Sequence, residues 1–213
     1  MRYDVIKRSV HHHYLKPKDS KVLFRCDGCN QYGIGSCYRC DTCNFDLHYH
    51  CAKKSMTISP PFYHDCSFKF MNVKTEPPEW RPPCKACGKN VKGFFYYCKA
   101  KGVNLHPCCA KLPEKLEDRK KKLSLSKEKT KSCHKCKKER SCWSYKSSHG
   151  GYTLHVPCAR EMLVESWRNG EGKGRVQAPH KRTMLLLALR FMISALVGDP
   201  STVIAAIFHS LMS

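Results

Sequence analysis

Residues 26–51 read CDGCNQYGIGSCYRCDTCNFDLHYHC, a stretch that opens on a Cys-x2-Cys pair and closes on His-x2-Cys. Its outer residues, Cys26, Cys29, His48 and Cys51, make the pattern Cys-x2-Cys-x18-His-x2-Cys. Cys84, Cys87, His106 and Cys109 repeat it, and Cys133, Cys136, His155 and Cys158 repeat it again. Two residues between cysteines let a tight turn aim both thiolates at one tetrahedral ion, and His-x2-Cys on a bend or first helical turn supplies the other two corners. Four protein ligands fill the shell, so these sites are expected to be structural rather than catalytic, each holding one Zn2+.

The repeat extends beyond the ligands. Leu47, Leu105 and Leu154 precede the histidines, and Ala52, Ala110 and Ala159 follow the last cysteines. Tyr38, Tyr96 and Tyr145 each stand ten residues before the histidine. Shared apolar positions around shared ligands imply one small fold used three times, each unit covering its metal with the same few side chains.

Composition fits this reading. The 213 residues include 16 Cys and 12 His, and few long apolar stretches occur before residue 184, as in small domains where metal replaces core. An even cysteine count also fits a disulfide scaffold, but regularly placed histidine favours metal. Met1 to Val10 carries Arg2, Asp4, Lys7 and Arg8 with no apolar run, so the expectation is a chain without a secretory signal, in the cytoplasm or nucleus. The formal charge of +22 falls by about one for each filled site of three cysteines and one histidine, leaving a strongly basic protein.

The first unit carries further ligand types. His13-x12-Cys26-x2-Cys29-x10-Cys40-x2-Cys43-x4-His48-x2-Cys51, with the words CDGC, CNFDLHYHCA and NLHPCCAKLP, resembles the cysteine/histidine-rich divergent C1 domain of plants over about residues 10 to 160. The resemblance implies an interleaved two-zinc module of short β-strands and a small helix. It also implies a non-enzymatic role in intracellular signalling or stress response. The second ion would use His13, Cys40 and Cys43; the family tends to place a His near position 60, where this chain has Pro60, so His64 is the expected last ligand. His11 and His12 then read as solvated neighbours. In the second unit Cys66 stands where the family has its leading His, but Lys101 replaces a cysteine, leaving Cys66, Cys98 and Cys108 as at most an incomplete shell. The third unit has Ser147 and Gly150 at the corresponding places, and Cys142 and His149 read as surface residues. Three zinc ions are therefore expected, with a fourth in the first unit.

The expected architecture is three small α+β zinc modules in tandem at 10–65, 66–113 and 114–165. A flexible linker follows at 166–182, then an apolar helical hairpin at 183–213. Pro77, Pro78, Pro82 and Pro83 around Trp80 read as a stiff join between modules 1 and 2. Lys111 to Lys138 is dense in Lys and Arg, with Leu123 and Leu125 alternating as in a strand; it reads equally as a solvated linker or as a contact for nucleic acid or an anionic lipid surface. The apolar runs Met184 to Val197 and Val203 to Met212 are each too short to span a bilayer, and Gly198-Asp199-Pro200 separates them. The hairpin they form would self-associate, pack on the modules or lie at a membrane.

A protein partner is the expectation that follows. C1 domains in general suggest diacylglycerol, with Gln31 in the relevant loop, but only ten residues lie between Cys29 and Cys40, shorter than in lipid-binding C1 domains. Two other classes compete. A plant homeodomain-type chromatin reader or ubiquitin-ligase finger would need Cys84 and Cys87 to complete module 1, yet these belong to the second repeat. A thiol-disulfide oxidoreductase could use Cys-x2-Cys pairs, but here each pair has a matched His-x2-Cys.

Overall fold

The tyrosine and leucine that recur with each histidine are neighbours across an antiparallel ladder. Tyr38 lies opposite Leu47, Tyr96 opposite Leu105 and Tyr145 opposite Leu154. All six side chains are buried. This cross-strand pair is the centre of each module, and the histidine follows it directly. The structure, a computed structural model, describes residues 10–75, 83–118, 121–130, 132–148 and 151–170.

Module 1 is a sheet in the order β1-β2-β3, with β1 Leu15–Arg25, β2 Tyr32–Cys40 and β3 Asp46–His48, and a bulge in β1 between Ser20 and Phe24. The helix α1, Tyr49–Ala52, follows at once. Module 2 comprises β4 Thr57–Ile58, β5 Phe68–Asn72, β6 Phe94–Cys98 and β7 Val103–Leu105 in the order β4-β5-β6-β7, then α2, Pro107–Ala110. Pro107 starts α2, where its missing N–H leaves nothing unpaired. In module 3, β8 Lys115–Asp118, β9 Lys121–Ser126, β10 Ser144–Ser147 and β11 Thr153–His155 are ordered β11-β10-β9-β8, and α3 runs Val156–Gly170. A single helical turn such as α1 or α2 cannot stand alone in water. Each is tied down because it carries the last cysteine of its site.

Strand pairing places the joins differently from the sequence reading. Thr57 and Ile58 pair with Lys69 and Phe68, so the chain enters the second sheet before residue 65. The proline-rich segment falls between β5 and β6, which pair with each other; it is an excursion within module 2, not a join between modules. Residues 76–82 of that segment lie outside the described residues. The basic run is no plain linker either, since it contributes β8 and β9, whose Leu123 is fully buried. Helix α3 continues through Gly170, five residues into the expected linker at 166–182. Residues 171–182 and the expected hairpin at 183–213 lie outside the described residues. Among the described residues no helix is long and apolar enough to cross a membrane.

The modules are joined by one contact made twice. The Phe94 amide donates to the Gly28 carbonyl at 2.6 Å, and the Trp143 amide to the Ala86 carbonyl at 2.9 Å. Gly28 and Ala86 occupy the same place, second between the paired cysteines, and Phe94 and Trp143 each stand twelve residues ahead of their histidine. In parallel, the Tyr96 hydroxyl donates to the Ser55 carbonyl at 3.0 Å and the Tyr145 hydroxyl to the Pro113 carbonyl at 2.9 Å. Both acceptors stand four residues past the last cysteine of the preceding module. Modules 2 and 3 thus each grip the metal-site turn and the exit segment of the module before, as neighbouring units of a repeat array do. Phe94 belongs to the apolar core of module 1, and Trp143 meets Phe62 edge to face with ring centres 5.1 Å apart.

Candidate metal centres

The antiparallel hairpin brings each Cys-x2-Cys turn beneath the strand end that presents the histidine. In module 1, His48 Nδ1 lies 3.3 Å from Cys29 Sγ and 3.9 Å from Cys51 Sγ, and the His48 amide donates to Cys26 Sγ at 3.4 Å. In module 2 the matching distances are 3.4 Å to Cys87, 3.9 Å to Cys109 and 3.4 Å from the His106 amide to Cys84. In module 3, His155 Nδ1 lies 3.5 Å from Cys136 and 3.8 Å from Cys158. The four ligand atoms of each set, with Cys133 completing the third, lie within 4.8 Å of one another. A tetrahedral ion with zinc–sulfur and zinc–nitrogen bonds of ordinary length requires sulfur–nitrogen edges of about 3.6 Å. The observed edges fit zinc.

Nδ1 faces the sulfurs in all three sites, which leaves Nε2 to carry the proton and fix the ring. His48 Nε2 meets the Tyr32 carbonyl at 3.2 Å and His155 Nε2 the Thr130 hydroxyl at 2.8 Å. His106 Nε2 instead lies 3.2 Å from the side-chain nitrogen of Gln31, from module 1, which is itself a donor and does not accept that proton. The sequence reading noted Gln31 in the loop of a lipid groove that it did not expect to form; the structure places the residue between modules, where it also accepts from the Arg160 guanidinium at 3.3 Å. Thr130 and Arg160 gave no signal in the sequence, because each works through a partner far from it in the chain.

The field inside the buried sites of modules 1 and 2 favours a cation. Burial would pull the His106 imidazole down, but Cys84 and Cys87 push it up to about 10. His48 behaves alike: burial lowers it, and Cys26 more than offsets that. His155 goes the other way, lowered by burial and then by Arg140. Its site is also the more open one, with Cys136 only partly buried.

A fourth cluster lies at the start of module 1, where His11, His13, Cys40 and Cys43 come together within 4.8 Å. Cys43 Sγ is 2.9 Å from His11 Nε2 and 3.5 Å from His13 Nδ1, and Cys40 Sγ is 3.6 Å from His13 Nδ1. The expected last ligand, His64, is elsewhere: its exposed ring sits 3.7 Å from the Glu114 carboxylate. His11 takes the corner because its ring stacks flat on Phe45, with centres 4.2 Å apart, which fixes the strand approach to β1. Neither Cys84 nor Cys87 joins module 1, so the ligand order of a plant homeodomain finger is not assembled.

The remaining cysteines are not ligands of these clusters. Cys66 and Cys98 form a disulfide, a pairing the sequence reading did not anticipate. Cys142 is buried, not on the surface, and burial pushes its thiol up to about 11; the same holds for Cys37. Cys108 is fully buried among module 1 side chains and accepts from Arg160 Nη2 at 3.0 Å. His149 lies outside the described residues.

Among the described residues, four Cys/His clusters can therefore bind zinc, three of the Cys3His type and one Cys2His2. The C1 domain family matches residues 9–52 and again residues 62–110. No curated protein and no solved structure matches the chain. The third module lies outside both family matches, yet repeats the ligand set and the Tyr145–Leu154 pair. With its two matched stretches and their ligand geometry, the chain is a Cys/His-rich protein that carries tandem C1-type, zinc-binding modules.

Proposed function

We propose that this protein is a non-enzymatic interaction scaffold in which zinc holds a short array of recognition modules. The observation that carries this reading is the closure of the metal shells. Every cluster presents four protein ligand atoms within 4.8 Å, which leaves no corner for water or substrate. The paired cysteines are committed to those shells, which weighs against thiol-disulfide exchange by the Cys-x2-Cys motifs. Gln31 is engaged between modules, which weighs against a diacylglycerol groove.

A protein partner is favoured by where the apolar surface lies. Among the described residues, the exposed large apolar side chains are Tyr14, Val22, Tyr32, Tyr49 and Met56, all in module 1 or its exit. Exposed aromatic and aliphatic groups of this kind supply binding energy in protein interfaces. Proximity labelling in cells tests the proposal. The intact chain is expected to mark a defined set of proteins, and the variant Val22→Ser/Tyr49→Ser/Met56→Ser to lose most of them while keeping its zinc. Unchanged labelling by that variant contradicts module 1 as the contact surface. Deleting residues 183–213 reports separately whether the tail sets location or self-association.

A further inference from the structure

Strand register puts the disulfide in a revealing place. In module 1, Tyr38 pairs with Pro17 and Cys40 with Leu15, two residues past His13. In module 2, Tyr96 pairs with Phe70 and Tyr97 with Lys69, so Phe68 takes the position of Leu15 and Cys98 that of Cys40. Phe68, like Leu15, is buried. Counting back from that anchor, Cys66 stands at the position of His13 and His64 at that of His11. Counting forward, Lys101 stands at the position of Cys43. The four corners of the exposed metal cluster of module 1 thus map onto His64, Cys66, Cys98 and Lys101. In this structure Cys66 and Cys98 are bonded to each other, and Lys101 Nζ pairs with Asp65 at 2.6 Å. A covalent bond and an ion pair stand where module 1 has ligands. Module 3 keeps no such set, with Lys121 and Ser147 at the matching positions.

We infer that this corner of module 2 is a redox-gated metal site: bridged when Cys66 and Cys98 are oxidised, and able when they are reduced to bind a thiophilic divalent ion through Cys66, Cys98 and His64. The gating step is exchange with a dithiol. One thiolate of the reductant attacks a sulfur of the bridge, giving a mixed disulfide and releasing the other cysteine. The second thiol of the reductant then displaces the remaining cysteine, and the reductant leaves as its own disulfide. Two electrons and two protons end on Cys66 and Cys98, and the ion releases those protons to solvent when it binds. Both sulfurs are buried, so exchange waits on opening of the turn in which the Cys66 amide donates to the Tyr63 carbonyl at 3.1 Å. His64 must leave Glu114 to reach the ion. Lys101 fills the fourth corner without being a ligand, so this ion is held more weakly than those in the four complete clusters.

Zn2+ itself is the probe, counted by native mass spectrometry on the full chain, with thiols counted by alkylation. The bridged chain is expected to carry four ions, and the chain reduced by a phosphine under argon five. Cys66→Ser/Cys98→Ser is expected to carry four in either condition. In the reduced chain, Lys101→Cys completes the shell and is expected to slow transfer of the fifth ion to a chelator at least tenfold. Four ions in the wild-type chain with both thiols shown to be free overturns the inference. So does a fifth ion that persists in the double serine variant. Where that variant fails to fold, the wild-type chain decides: zinc must slow alkylation of Cys66 and Cys98 at least tenfold, and equal rates overturn the assignment. The inference rests on the four clusters being zinc sites; a chain without any zinc overturns both, whereas four ions in each redox state overturns this one alone.

Discussion

Replacing Gly93 with Ala adds one methyl group at the contact that joins modules 1 and 2. A Cβ built there falls on the Gly28 carbonyl oxygen, with the Gly28 carbonyl carbon at 3.0 Å and Cys29 Cα at 3.4 Å. All three are backbone atoms of the Cys26–Cys29 turn, so no side chain can swing aside. Either the turn that presents two metal ligands distorts, or the strand carrying Phe94 retreats. Retreat breaks the Phe94 amide bond to Gly28, a loss of about 1 kcal/mol. It also draws Phe94, only 5% exposed, partly out of the module 1 core, adding about 1–2 kcal/mol. The expected cost is therefore about 2–3 kcal/mol, with zinc content unchanged because no ligand is lost. Urea unfolding of the zinc-loaded chain measures the cost, and hydrogen exchange at the Phe94 amide locates it. A change below about 0.5 kcal/mol with undiminished Phe94 protection would refute the claim that the modules form one clasped array.

Other substitutions address the sites one at a time. His11→Ala is expected to lower the zinc content of the bridged chain from four ions to three, and His64→Ala to leave it at four; native mass spectrometry reads both, and the reverse pattern would restore His64 as the ligand. Gly33→Val should empty the buried site of module 1, because a Cβ at Gly33 overlaps the His48 ring and lies 2.7 Å from the Phe24 ring. Its readout is one zinc ion fewer together with loss of the Tyr38–Leu47 strand pairing in hydrogen exchange. Arg160→Met keeps the bulk of a buried side chain but removes its bonds to Cys108 and Gln31, so unfolding should become easier by about 1–3 kcal/mol in urea, with all four ions retained. Because the Cys108 thiolate that the guanidinium favours can take up a proton once Arg160 is gone, the loss stays below that of stranding a charge.

Much of each buried site was legible because its ligands are local. Cys26 to Cys51 spans 26 residues, over which a hairpin plus one helical turn closes the tetrahedron. The Tyr–Leu pairs were legible for the same reason, as positions that recur with the ligands. The exposed cluster was legible in three of its four corners. Three consecutive histidines, His11 to His13, give no internal signal for which one points inward, and the choice is made by Phe45, which stacks on His11 from a turn 34 residues away. The bridge between Cys66 and Cys98 was hidden because it depends on strand register across an excursion of the chain. That excursion also explains the misplaced join: its prolines read as a boundary, whereas the strands on either side pair with each other. Arg160 and Gln31 are separated by 129 residues, and nothing local marks either as a bridge between modules.

Metal content tests the four-site architecture most directly. Native mass spectrometry of the full chain, isolated without added reductant so that Cys66 and Cys98 stay bridged, is predicted to show four zinc ions. Addition of a strong chelator is predicted to release all four and to expose fourteen reactive thiols, the number left free by that single bridge. A metal-free chain whose Cys-x2-Cys pairs are joined in reducible disulfides would contradict it.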